Sequence, residues 1–215
     1  MTTRYAAQGI ESEFEPGSRG RVLKNLIGVR SVREMQRAES VALLAATNRM
    51  IDVTTGTHRF AAADVCKMHK QWLGSIYGWA GAYRSVNVTK GNFMFAAAEQ
   101  VPRLRGAFER GPLRDYTPCR FDAADEPAQA LAIVHAELIL IHPFREGNGR
   151  VARLLATLMG LQADLPPLDF SEIAGQQRRN YIAAIHAAVG RDYTPMKEIF
   201  RSVIARTLRA NRGNR

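Results

Sequence analysis

The sequence predicts a mainly helical domain interrupted by one small β-hairpin. Three observations carry that expectation: apolar residues recur at three-to-four spacing in most segments, one short stretch alternates instead, and prolines fall at helix starts and in loops. The 215 residues, 46% hydrophobic and 23% charged, give one domain enough material for a sizeable core.

Residues 1–22 are polar, with Pro16, Gly17 and Gly20, and read as a mobile arm. A short apolar segment over 23–29 leads to a helix over 31–50, where Val32, Met35, Ala38, Ala42 and Ala45 share a face. A second helix is expected over 62–73. In 83–95, Val86 and Val88 alternate with polar neighbours, Lys90-Gly91-Asn92 breaks the run, and Phe93, Met94 and Phe95 follow, which predicts a hairpin or flap. Helical spacing resumes over 99–109 and is strongest over 126–141, with Pro127 in the first turn. Pro143 biases His142 away from helical geometry, so that helix should stop at the histidine. A new helix should start near Gly149 and reach Gln162, Pro166-Pro167 marks a loop, and helices follow over 171–188 and 194–210. Thr194 reads as the N-cap of the last one, with Pro195 at its first position.

The first residues contain no apolar signal core, and no stretch nears the roughly 18 apolar residues of a membrane span. Cys66 and Cys119 make neither a disulfide framework nor a closed metal set, so a cytoplasmic, membrane-free protein is expected. The net charge is +10, and Arg201, Arg206, Arg209, Arg212 and Arg215 stand in the last fifteen residues without an acid. They read as a solvated helix face running into a basic tail; lacking interleaved aromatics, they argue against nucleic acid as the partner.

One run carries chemistry: His142-Pro143-Phe144-Arg145-Glu146-Gly147-Asn148-Gly149-Arg150. A helix N-terminus offers unpaired N–H groups and a positive dipole end to anions, and glycines allow positive φ and close approach to a phosphate. Arg150 and Arg153, three residues apart, can clamp two phosphates. Glu146 at the mouth would repel a polyphosphate unless Mg²⁺ stood between them. His142 in its neutral form can take a proton from an attacking hydroxyl. Phe144 reads as an apolar pin.

This run matches the Fic signature HPFx[DE]GNGR at every defined position, and the resemblance covers most of the chain. Tyr77-Gly78-Trp79-Ala80-Gly81, followed by Arg84, Val86, Val88, Lys90 and Gly91, resembles the family's W-A-G segment and flap, and Asp192-Tyr193-Thr194-Pro195 its last-helix entry. The resemblance implies a Fic-type helical bundle over 23–208 with a β-hairpin flap. It also implies a protein adenylyltransferase moving AMP from ATP to a Ser, Thr or Tyr hydroxyl of a target protein. By the same resemblance His142 is the general base and Glu146 the Mg²⁺ ligand. Gly147, Asn148 and Gly149 are the anion hole, and Arg150 and Arg153 the outer-phosphate clamp. Lys90 and Gly91 belong to the flap, and Asn180 is a candidate adenine contact. Related Doc-type phosphotransferases carry lysine where this chain has Gly149, so glycine favours AMP transfer.

Many Fic proteins restrain themselves with a helix reading [ST]xxxE[GN]. Here only Thr194…Glu198 has the spacing, and Ile199 follows instead of Gly or Asn. The chain therefore resembles the class whose inhibitory glutamate comes from a separate small antitoxin, and the segment Asn25-Leu26-Ile27-Gly28-Val29 resembles that class too. Two readings stand beside this one: transfer of another phosphate-containing group on the same scaffold, and a basic helical domain on nucleic acid. A secreted effector fragment is the alternative to a cytoplasmic toxin.

Overall fold

The computed structural model describes residues 13–123, 125–173 and 175–213. Residues 1–12 of the expected arm, and Asn214 and Arg215 of the expected 209–215 tail, lie outside them. In chain order the elements are α1 (Val32–Val53), α2 (Ala62–Leu73), β1 (Thr89–Lys90), β2 (Phe93–Met94), a 3₁₀ turn (Ala98–Gln100) and α3 (Val101–Phe108). A π-helical turn (Glu109–Leu113), α4 (Arg114–Tyr116), α5 (Glu126–Ile141), α6 (Asn148–Gln162), α7 (Gly175–Val189) and α8 (Thr194–Gly213) follow. The protein is mainly helical with one two-stranded antiparallel sheet among the described residues.

The chain divides into two compact units. The first takes Met1–Val53, Ala63–Gly106 and Ile141–Val151. Residues 13–22, read from sequence as part of a mobile arm, form a turn in which Phe14 bridges Leu23 and Val22 is buried. Gly17 and Gly20 sit at positive φ there, and Ser18 Oγ accepts from the Val22 N–H at 3.4 Å. The Asn25 amide closes the next turn, accepting from and donating to Val29 at 2.9 Å each. α1 buries Met35, Glu39, Ala46 and Met50, a four-and-seven spacing that keeps one stripe inward. α2 buries Val65, Met68, His69, Trp72 and Leu73 in the same way.

The hairpin forms where alternation predicts it. Thr89 pairs with Met94 and Lys90 with Phe93, while Gly91 takes a φ of 59° in the turn. Its buried side is Val86, Val88 and Phe95, with Phe93 packed against them. The open side is polar apart from Met94.

The second unit takes Thr54–Ala62, Ala107–Leu140 and Ala152–Arg215. Within it α5 is buried on every side, from Ala128 through Leu131, Val134 and Leu138, as expected of a helix with no polar face. Helix α8 turns Met196, Phe200, Val203 and Thr207 inward. The helix expected over 99–109 continues to Tyr116, because a π-helical turn accommodates Pro112, which has no N–H to offer. Helix α7 starts later than 171, since the Asp169 carboxylate captures the Ser171 N–H at 2.9 Å and holds a turn. At α8 the capping side chain is Asp192, whose Oδ1 accepts from the Thr194 N–H at 3.0 Å, instead of Thr194 itself.

Candidate active site

α5 stops at Ile141, and His142 takes a left-handed backbone with φ 50°. A non-glycine residue is strained there, by about 1–3 kcal/mol, so its surroundings must hold it. Arg84 does so. Buried to 3% exposure, it donates from Nε to the His142 carbonyl at 2.6 Å and from Nη2 to the Ile141 carbonyl at 3.4 Å. Its remaining donors reach Val86 O at 2.7 Å and Ala96 O at 2.5 Å, and its backbone N–H reaches Pro143 O at 2.9 Å. The guanidinium thus caps the negative end of α5 and joins the residues flanking the hairpin to the histidine. The imidazole itself is buried at 4% exposure and stacks on Phe95, centroids 3.6 Å apart and 17° between planes.

The loop after His142 is closed by its own side chains. Asn148 Oδ1 accepts from the Phe144 N–H and its amide donates to the Phe144 carbonyl, both at 2.8 Å. Phe144 is fully buried and stacks on His69 at 3.9 Å and 10°, which bears out its reading as a pin. Of the two glycines, Gly147 alone takes positive φ, 85°. A Cβ there would sit 2.7 Å from the Trp72 ring. Gly149 lies in the first turn of α6. The first i→i−4 bond of that helix runs from the Val151 N–H to Gly147 O, so the N–H groups of Asn148 and Gly149 precede it and can serve an anion.

His69 is a residue that sequence reasoning missed. Its Nδ1 accepts from the Gly81 N–H at 2.8 Å, which fixes the tautomer and leaves Nε2–H to donate to the Glu146 carbonyl at 3.0 Å. Burial, with a smaller push from the Arg150 charge, holds its pKa down at about 4. Neutral His69 therefore ties the turn at Trp79-Ala80-Gly81 to the backbone of Glu146. The signal in sequence was weak: a lone histidine on an apolar helix face.

Arg150 donates from Nη1 to Glu39 at 2.6 Å and lies 3.5 Å from Glu146 by Nη2, over the Trp72 ring at 4.4 Å. Lys90 is half-buried in β1 and Gly91 exposed beside it. These residues, with His142, Glu146 and the loop backbone, all belong to the first unit. Arg153 and Asn180 belong to the second. Arg153 is half-buried on α6, and its charge bears on buried His135 and half-buried Tyr181, whose side chains meet at 2.7 Å. Asn180 is exposed on α7 and lines a groove with Asp169, Glu198 and Arg206. Glu198, at the one spacing match to an inhibitory helix, pairs with Arg201. Arg201 also reaches Asp125, and Arg206 pairs with Asp169 and Glu172, so the basic last helix is partly neutralised.

Residues 59–159 match the family model described as Fic/DOC family. The chain is 32% identical over 139 residues to Protein adenylyltransferase fic-1 of Caenorhabditis briggsae, covering 64% of this chain and 26% of that protein. It is 32% identical over 132 residues to Protein adenylyltransferase VbhT of Bartonella schoenbuchensis, covering 61% and 27%. The chain thus spans about a quarter of the length of these curated relatives. The crystal structure of BepC from Bartonella tribocorum, a VirB-translocated effector protein with bound AMPPNP, superposes with a TM-score of 0.69 at 22% identity, covering 84% of this chain and 91% of that one. Its likeness is one of fold. With the signature run folded as a histidine-ended helix and a glycine-opened helix start, the chain carries a domain that matches the Fic/DOC family over residues 59–159.

Proposed function

We propose that this chain is a protein adenylyltransferase that moves AMP from ATP to a Ser, Thr or Tyr hydroxyl of a target protein. The observation that carries the proposal is the juxtaposition of buried His142, in a left-handed backbone, with the glycine-opened N-terminus of α6 a few residues later. Relatives named protein adenylyltransferase and a fold neighbour crystallised with AMPPNP support the reading. In the reaction the target oxygen forms a bond to the α-phosphorus, the bond to the β-phosphate bridge breaks, and pyrophosphate departs with the electron pair. His142 takes the hydroxyl proton. The backbone N–H groups of Gly147, Asn148 and Gly149 receive phosphate oxygens, while Arg150 and Arg153 take the outer phosphates. Lys90 and Gly91 on the hairpin border the nucleotide and the target, and Asn180 is offered for adenine.

Mg²⁺ fits the donors present. Among the described residues no three His, Cys, Asp or Glu side chains gather, and Mg²⁺ is commonly held by one or two carboxylates plus substrate phosphates. Glu146 is the carboxylate that would hold it, and the ion would offset phosphate charge beside it.

Residues 23–208 are proposed as the catalytic domain and 209–215 as a basic tail, in a cytoplasmic toxin silenced by a small antitoxin bearing [ST]xxxE[GN]. The absence of that pattern in this chain motivates the partner. No described helix is long and apolar enough to cross a membrane. One assay tests these points together. Protein should be labelled from ATP carrying radioactive phosphorus at the α position but not at the γ position, and an added [ST]xxxE[GN] helix should suppress the label. Label from the γ position would show phosphotransfer instead. Indifference to the helix would remove the antitoxin.

A further inference from the structure

We infer that Glu39 on α1 is a positioning residue that presets Arg150 for the phosphates of the nucleotide; the inference rests on the adenylyltransferase reading. Glu39 occupies the inward stripe of α1, between Met35 and Ala46, at 5% exposure. A carboxylate in that place is costly unless paired and hydrogen-bonded, and both oxygens are satisfied. The Tyr77 hydroxyl donates to Oε1 at 2.8 Å and Arg150 Nη1 donates to Oε2 at 2.6 Å. Burial and the Glu39 charge push the Tyr77 phenol up, so it remains a donor. The Glu39 backbone carbonyl also accepts from Trp72 Nε1 at 2.8 Å. That indole in turn lies beneath the Arg150 guanidinium, 4.4 Å from its carbon.

Arg150 is therefore held from two directions by one residue, through the carboxylate directly and through the Trp72 ring. Its side chain keeps 25% of its surface open, and a guanidinium carries five N–H donors, so donors remain for a phosphate after Glu39 has taken its share. A long arginine side chain loses much rotamer freedom when it grips a ligand; one already fixed loses less, and binds tighter for it. Glu39 lies outside the [ST]xxxE[GN] pattern, with Met35 four residues before it and Ser40 after. Drawing Arg150 away from it would leave a buried carboxylate unpaired, which argues for a support and against a brake.

The test is steady-state AMP transfer by the full chain carrying Glu39→Gln, Tyr77→Phe, Arg150→Lys, and Glu39→Gln with Arg150→Lys. Binding of a non-hydrolysable ATP analogue is measured beside it by calorimetry. Glu39→Gln should raise KM for ATP and the analogue Kd about 10-fold, the factor one charge-assisted hydrogen bond is worth. Its kcat should stay within about 2-fold. Tyr77→Phe should shift both constants less, in the same direction. The double variant should bind no worse than Arg150→Lys alone, since Glu39 acts through that side chain. An unchanged KM in folded Glu39→Gln, or additive losses in the double variant, overturns the inference. A fall in KM overturns it too, by making Glu39 a competitor of the phosphates. Should Glu39→Gln fail to fold, Tyr77→Phe decides, and no shift there counts against the inference. A wild-type chain that binds the analogue but transfers nothing sinks the adenylyltransferase reading and leaves the binding comparison standing.

Discussion

His142 combines two demands that ordinary residues do not meet together: a left-handed backbone and a buried imidazole at the end of a helix. The strain is tolerable because Arg84 grips its carbonyl and Phe95 covers its ring. Replacing His142 with alanine should cost on the order of 10²–10⁴ in transfer rate, the usual worth of a general base, while nucleotide binding persists. A His142→Ala chain with wild-type turnover would overturn the base role proposed for this residue. Gly147 shows the complementary case. Alanine there meets both a φ of 85° and the Trp72 ring 2.7 Å away. Gly147→Ala should lower stability by about 1–3 kcal/mol, read from urea midpoints, and weaken binding of the ATP analogue. An unshifted midpoint would show that the loop relaxes freely.

Helix ends decide the chemistry at the scale of elements. The end of α5 presents carbonyls and the start of α6 presents N–H groups, and the loop between them is pinned by Phe144 and cross-tied by Asn148. Arg84 satisfies the carbonyl side and reaches Val86 and Ala96 on the hairpin's flanks. Arg84→Met keeps much of the volume and removes every one of these side-chain bonds. It should destabilise the protein by about 3 kcal/mol or more, since buried carbonyls lose charged partners, and lower kcat by freeing the His142 backbone. A melt within a degree of wild type would contradict that account.

For the whole molecule, pH is the informative variable. His135 is fully buried on α5 against Tyr181 and Phe200. Burial, then the charge of Arg153, holds its pKa down at about 3. An unfolded chain binds the proton near 6.5. The unfolded state takes up this proton first as pH falls, so the stability tied to His135 declines from about pH 6.5 toward 3, and its share levels off below. Urea midpoints taken between pH 7 and 4 should show this slope, and His135→Gln should reduce it, leaving the share of buried His69, whose pKa is held at about 4. An equal slope in both proteins would assign the titration elsewhere.

Most of the helices, the hairpin and the stop at His142 were legible in sequence, because three-to-four spacing, alternation and proline are local signals. The boundaries that moved did so through effects on nearby backbone: Asp169 delaying α7 and Pro112 absorbed in a π turn. The signature from His142 to Arg150 was likewise readable, since its parts are contiguous. The holding roles of Glu39, His69 and Arg84 were not: these side chains stand 111, 77 and 58 residues from the groups they hold. Sequence by itself therefore determined which residues form the loop and which helices flank it. Only the tertiary structure decided what holds that loop in place, because a buried charge or imidazole finds its partner by packing, and packing leaves no period in the chain.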